Sequence, residues 1–319
     1  MPFKREPQKF TARINALTIG SGENGVTLGG ENVLPFYTFD APVDNCPKIG
    51  VAISDSGYYK GVAGIEAYYD GADTLTGVAK KAAEMPGADF LVIALEGAHP
   101  DKGDRSPEDC AALVKEIVDA VDIPVAVEGC KNIDKDAKVF EKVAEAVTGK
   151  NILILSAREE NYKSIAAAAG LAYAQKVGAE SAVDINLAKQ LNILVSQLGV
   201  KTENMAMNLG AAAAGYGFEY VASTIDRVKS AALAQDDAML QMPIITPVYA
   251  ETWTVKESVA DEEDYPEWGS AEVRGINMEI ATAAACLAAG SNAVILRHPE
   301  SVATVAGLIK ALIQAKEEE

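Results

Sequence analysis

Asp184, Asn186, Asn208, Glu96 and Glu128 are the side chains whose types and spacing could do chemistry on a small heterocycle. Asp184 and Asn186 stand two apart in a stretch that reads as a strand, so they would point to one side. With Asn208 they could hydrogen-bond a heterocycle, or they could form the polar top layer of a barrel core. Glu96 and Glu128 could serve as general acid and base, but nothing in the sequence sets their separation. Only two histidines occur, His99 and His298, so a three-histidine zinc site is impossible. His99 reads as a loop or contact residue. His298, directly before Pro299, reads as packing or capping the last helix. The four cysteines, Cys46, Cys110, Cys130 and Cys286, form no C-x-x-C pair, which excludes a sequence-local zinc or iron–sulfur site. There is no G-x-S-x-G elbow and no Cys–His nucleophile pair.

Two glycine patterns resemble nucleotide loops and fail on context. Gly20, Gly22 and Gly25 spell G-x-G-x-x-G, but Val26-Thr-Leu follows in place of a helix, so a hairpin turn is expected. Gly210 to Gly215 has P-loop spacing, but Tyr216 and Gly217 follow where Lys and Ser/Thr are required. What remains is a loop with almost no side chains, Asn208 to Gly217, opening a long amphipathic helix over 218–235. Such a loop lets something large and flat approach the backbone. Helix N–H groups point into it.

These residues must be positioned by elements, and the elements repeat. After a β-hairpin in residues 12–28, eight apolar runs alternate with eight helical segments. The expected strands are 48–54, 90–96, 124–130, 152–157, 181–186, 205–210, 243–249 and 293–298. The expected helices are near 74–85, 107–121, 134–148, 161–177, 187–198, 218–235, 271–289 and 300–315. Runs such as Ile152-Leu-Ile-Leu155 suit strands buried on both faces. This pattern predicts an α/β fold, a (β/α)8 TIM barrel over 46–319, preceded by an extension over 1–45 whose hairpin could plug the barrel. A doubly wound sheet is the alternative. In a barrel the strand C-termini form the functional mouth. Those ends supply Ser54, Glu96, Glu128, Ser156, Arg158, Asp184, Asn208, Tyr249, Arg297 and His298. The Gly–Ala loop falls there too. A long loop over 251–269 holds both tryptophans, Trp253 and Trp268, and reads as a docking surface or a lid.

The chain has 319 residues and a net charge of −18. An acidic balance of this size argues against nucleic acid and against an anionic membrane surface. The charged N-terminus lacks a signal-peptide core and no apolar run is of spanning length, so a cytoplasmic protein is expected.

Several motifs together resemble a known family. They are Asp184-Ile-Asn-Leu-Ala-Lys-Gln-Leu-Asn-Ile193, Gly215-Tyr-Gly-Phe-Glu-Tyr220, Met242-Pro243, Glu267-Trp-Gly269 and Leu296-Arg-His-Pro-Glu300. Glu160-Asn-Tyr-Lys-Ser164, and Gly29-Gly30 with Leu34-Pro-Phe36, also fit. The chain resembles the small subunit of the corrinoid iron–sulfur protein, the family of the acetyl-CoA decarbonylase/synthase delta subunit. The resemblance implies a TIM barrel related to pterin-binding methyltransferases. It implies a large-subunit partner carrying the iron–sulfur cluster and a cobalamin-binding domain. Cobalamin would lie at the interface, covered by this barrel's mouth. The methyl group would come from a methyltetrahydrofolate methyltransferase and pass to acetyl-CoA synthase in the reductive acetyl-CoA pathway. No catalytic residue of its own is implied. Candidate cofactor contacts are Asp184, Asn186, Asn208, Gly210, Gly215, Tyr216, Gly217, Tyr249, Arg297 and His298. The family pattern carries more glycine where this chain has Ala211–Ala214, which implies a less mobile loop or a more helical first turn. The competing expectation is a stand-alone pterin-binding methyltransferase or dihydropteroate-synthase-like barrel, with Asp184, Asn186 and Asn208 holding the pterin.

Overall fold

The computed structural model describes residues 8, 10–33 and 43–314. The Leu34-Pro-Phe36 motif, most of the N-terminal end and the acidic tail lie outside them. The chain opens with an antiparallel hairpin, β1 (Leu17–Ile19) and β2 (Val26–Leu28). Its tip is a one-turn 3-10 helix, Gly22–Asn24, as a turn at the glycine cluster requires. Thr18 and Thr27 share a cross-strand hydroxyl bond of 2.8 Å.

Eight parallel strands follow, and they form a barrel. They are β3 (Lys48–Ser54), β4 (Phe90–Ala94), β5 (Val125–Glu128), β6 (Leu153–Ala157), β7 (Lys176–Glu180), β8 (Met205–Asn208), β9 (Ile245–Thr246) and β10 (Ala293–Leu296). The spatial order runs β8-β7-β6-β5-β4-β3-β10-β9. The ring closes between its two ends: Met207 bridges Ile244, and the Met207 N–H donates to Pro243 O at 2.8 Å. Helices α1 (Ala63–Tyr69), α2 (Leu75–Ala83), α3 (Pro107–Ala120), α4 (Ile133–Ala146), α5 (Tyr162–Ile165), α6 (Ile185–Gln197), α7 (Phe218–Ala234), α8 (Tyr249–Thr252), α9 (Lys256–Val259), α10 (Ala271–Ala289) and α11 (Pro299–Gln314) connect the strands. Several start on side-chain caps: Thr74, Ser106, Asn132 and Asp184 accept backbone N–H bonds. No helix among the described residues is long and apolar enough to cross a membrane.

Strand periodicity divides the core in two. Phe90 and Val92 face the barrel interior, while Leu91 and Ile93 face the helices. Both sets are fully buried, so the run is apolar throughout. Gly50 leaves room for the Phe90 ring, which a Cβ there would strike. The hairpin side chains Leu17, Ile19 and Leu28 join the interior cluster and seal its base. Gly20 N–H donates to Asn151 O at 2.8 Å, and the Asn151 amide returns two bonds to Thr18 O and Gly20 O. Asn151 precedes β6, so the hairpin sits at the strand N-termini. A buried cluster ties the next turn down. Lys229 Nζ, on α7, reaches Glu31 at 2.7 Å and Asn292 at 2.8 Å, and the Asn292 amide donates to Glu31 at 2.7 Å.

Three expectations need correction. The fifth barrel strand is Lys176–Glu180, not 181–186. Gly178 and Ala179 made it look like a weak run, yet Gly178 is small because Leu155 packs against it. Ala182 and Val183 then take left-handed φ angles of 43° and 65°, which end the strand. The expected helix over 161–177 is a short α5 continued by a π-wound turn, Ala166–Ala172. The seventh barrel strand is only two residues long, and Tyr249 begins a helix.

Candidate functional site

The strand C-termini open onto two adjoining clefts that share Glu128, Gly129, Lys131 and Ala250. The larger holds about 590 Å³. Its floor is built by two strand ends. Glu128 ends β5, and its carboxylate accepts the Tyr249 hydroxyl at 2.5 Å. Burial pushes the Glu128 carboxyl above the ordinary glutamate range, against the opposing pull of the Tyr249 bond. Burial and then the Glu128 charge raise the Tyr249 phenol well above its usual value. Arg297 follows β10. Its guanidinium lies 4.3 Å from the Tyr59 ring centre and 4.7 Å from that of Tyr249.

The smaller cleft centres on Asn208. Its carbonyl accepts the Gly210 N–H at 3.0 Å. Its amide donates to Ser156 Oγ at 3.1 Å and lies 3.5 Å from Glu180 Oε2. Glu180 also takes a 2.7 Å bond from Arg158. Asn208 is thus held on every side, and Glu180 occupies the strand-end position assigned to Asp184 from the sequence. Asp184 instead caps α6: its Oδ1 accepts the N–H groups of Asn186 and Leu187 at 2.8 and 3.1 Å. Both Asp184 and Asn186 are exposed, on the helix start rather than on a shared strand face. The reason is the left-handed turn at Ala182 and Val183.

The Gly–Ala loop departs from β8 over this cleft. Gly210 lines it, with φ of 81°. Ala211–Ala213 are not helical, and Ala214 N–H is anchored to Thr282 Oγ1 at 3.0 Å. Gly215 and Gly217 have φ near +86° and +85°. Tyr216 between them is half exposed and bonds Glu257 on α9. His298 lies behind the mouth and is buried. Its Nδ1 accepts the Glu300 N–H at 3.1 Å, so Nε2 carries the proton that faces Glu272 at 3.0 Å. Its ring stacks on Trp253, which is itself buried, so Trp253 belongs to the core and not to a docking loop. Trp268 does face outward with Tyr265, and Lys256 sits over both rings.

The mouth therefore joins Asn208, Gly210, Tyr249 and Arg297. It places Asp184 and Asn186 on a helix start, Gly215–Gly217 against α9, and His298 behind. Glu180, Lys131 and Tyr59 belong to the mouth and were missed. Glu180 lay beyond a misplaced strand, Lys131 carries a left-handed φ of 70° that no local pattern signals, and Tyr59 comes from an irregular loop. Among the described residues no three His, Cys, Asp or Glu side chains gather into a metal-ligand group. Burial raises the thiols of Cys110, Cys130 and Cys286 to about 11, 12 and 12.

Solved structures with this architecture define the class first. The 7,8-dihydropteroate synthase of Vibrio fischeri ES114 superposes with a TM-score of 0.56 at 11% identity, covering 95% of this chain and all of that one. A Yersinia pestis dihydropteroate synthase bound to a pterine–sulfa conjugate gives 0.55 at 11%, covering 93% and 98%. At that identity the likeness is one of fold, and the fold is a TIM barrel. The sequence narrows the class. Residues 16–303 match the family model of the CO dehydrogenase/acetyl-CoA synthase delta subunit. The chain is 33% identical over 325 residues to acetyl-CoA decarbonylase/synthase complex subunit delta 1 of Methanosarcina thermophila, covering 98% of this chain and 73% of that one. The delta subunit of Archaeoglobus fulgidus is 32% identical over 322 residues, with 98% and 70% covered. The chain belongs to the CO dehydrogenase/acetyl-CoA synthase delta-subunit family, as the sequence motifs implied.

Proposed function

We propose that this chain is the barrel subunit of a corrinoid iron–sulfur methyl carrier, acting in the cytoplasm within an acetyl-CoA decarbonylase/synthase assembly. The observation that carries the reading is one-third identity to a subunit of that name across nearly the whole chain. The large subunit holds the iron–sulfur cluster and the cobalamin, and this barrel's mouth covers the corrin. A methyltetrahydrofolate methyltransferase supplies the methyl group and acetyl-CoA synthase receives it. When bound, the corrinoid supplies a cobalt centre that accepts and releases a methyl group.

The residues at the mouth fit such a face. A Cβ built at Gly215 meets nothing among the described residues within 4 Å, so the loop offers bare backbone to a broad flat ligand. Gly210 lines the smaller cleft at the root of that loop, Tyr216 and Gly217 stay beside Gly215 against α9, and Tyr249 and Arg297 lie on the floor of the larger cleft. This chain brings no histidine to the lining of either cleft, and both ring nitrogens of His298 are engaged. Its work is then steric and polar: to cover, to exclude water and to orient amide groups. Asp184 and Asn186 support the rim through the α6 cap, and Asn208 holds the loop root through Gly210.

Native co-purification tests this. The expected result is a stable heterodimer showing corrinoid and iron–sulfur absorbance, with the corrinoid band lost when the partner is removed. If instead the isolated chain binds methyltetrahydrofolate at micromolar concentration, and Asn208→Ala abolishes that binding, it is a stand-alone pterin enzyme and the proposal fails. A chain that brings down no corrinoid-bearing partner fails it equally.

A further inference from the structure

The cleft floor holds a cation that no carboxylate pairs with directly, although the charges of Arg297 and Glu128 act on each other. Among the described residues no carboxylate comes within ion-pairing distance of the Arg297 guanidinium, and none of its N–H groups meets an acceptor. Only its backbone is engaged, through Glu279. The side chain is half-buried and pressed against the faces of Tyr59 and Tyr249. Tyr249 is fixed in turn by Glu128, and Tyr59 by its hydroxyl bond to Trp253 O at 3.4 Å. Stacking occupies the faces of a guanidinium and leaves its edge donors free. Partial burial of an unpaired cation costs solvation that a bound anion restores. The other groups around it agree in sign. Lys60, Lys102 and Lys131 line the same cleft, against Glu96 and Glu128. That makes four basic side chains to two acidic in a chain whose net charge is −18. Glu96 is partly answered by Lys102 at 3.9 Å.

We infer that the Tyr59–Arg297–Tyr249 clamp is an oxyanion site, built to take the carboxylate or phosphate group of a small molecule on the Arg297 fork, with the cleft lysines completing the charge. A planar fork held by two rings is preorganised for two parallel N–H···O bonds. The site is distinct from the ion-paired Arg158, whose fork already serves Glu180. It requires neither the corrinoid nor the large subunit, so it goes beyond the function proposed above.

The test is calorimetric titration of the isolated full-length chain at constant ionic strength, with inorganic phosphate in one arm and acetate in the other. Saturable one-site binding of either anion is expected; phosphate alone points to a phosphoryl ligand, and acetate alone or both to a carboxylate. Arg297→Gln weakens binding by about tenfold or more, and Arg297→Lys also weakens it because the fork is lost. Arg158→Gln leaves it within about twofold, as an already paired charge should. Should Arg297→Gln fail to fold, Tyr59→Leu removes one jaw of the clamp and is expected to weaken binding while keeping the charge. No saturable binding of either anion, or binding indifferent to both Arg297→Lys and Tyr59→Leu, overturns the inference. Because partner and corrinoid are absent, this result and the co-purification result stand or fall separately.

Discussion

Removing Glu31 should unlatch the hairpin from the barrel. Lys229 and Glu31 are almost wholly buried, with side-chain exposures of 0% and 1%, and their ion pair is 2.7 Å long. In Glu31→Ala the Lys229 ammonium keeps only Asn292 Oδ1, which already accepts the Ile244 N–H. The Asn292 amide loses its acceptor as well. One lost charge-assisted bond is worth about 1.5–3 kcal/mol, and a stranded buried donor adds about 1–3. These agree with the ~3–5 kcal/mol measured when one partner of a buried pair is removed. The double variant Glu31→Leu/Lys229→Met replaces the pair by apolar volume and should recover most of that loss. Urea unfolding followed by tryptophan fluorescence and by circular dichroism reads both variants, coincident curves establishing a single transition. A loss below about 1 kcal/mol in Glu31→Ala, or a double variant no better than the single one, refutes the reasoning.

Two further perturbations probe the mouth and the core behind it. Glu128 has its carboxyl raised by burial, so its ionisation disfavours the folded state at pH values above the ordinary glutamate value of 4.5. Glu128→Gln, which can still accept the Tyr249 hydroxyl, should therefore raise the melting temperature at neutral pH, and the advantage should fade as pH drops through the raised value towards 4.5; an advantage that persists unchanged below 4.5 would contradict that origin. Gly275→Ala drives a methyl group into the Trp253 ring, which is boxed between α10 and His298. Overpacking of this kind costs about 1–3 kcal/mol and should shift the tryptophan emission, whereas an unchanged spectrum and melting point would show that the ring has room to move.

The repeating architecture was legible because strands buried on both faces write long apolar runs, and Ile152–Leu155 or Phe90–Ile93 admit few other readings. β7 was not, because its interior position is a glycine that yields to Leu155. A packing relation between two strands leaves no mark on the weaker one. That single shift misplaced Asp184 and Asn186 and hid Glu180. Tyr249 and Arg297 both stand at the mouth, Tyr249 opening a helix after the two-residue β9 and Arg297 directly following the apolar β10. Their relation was not recoverable, since stacking of Arg297 between Tyr59 and Tyr249 joins residues nearly 240 positions apart at the extreme. Trp253 misled for a different reason: a long loop suggests solvent, and here its first turn is α8, folded inward against Gly275.

The hairpin beneath the barrel has a kinetic consequence. Among the described residues, Leu17, Ile19 and Leu28 fill the lower end of the strand ring. A ligand seated on the cleft floor has no way out through that end. A protein surface that rested on the rim would then slow the exchange of anything below it. The plug would thus turn docking at one end of the molecule into control over exchange.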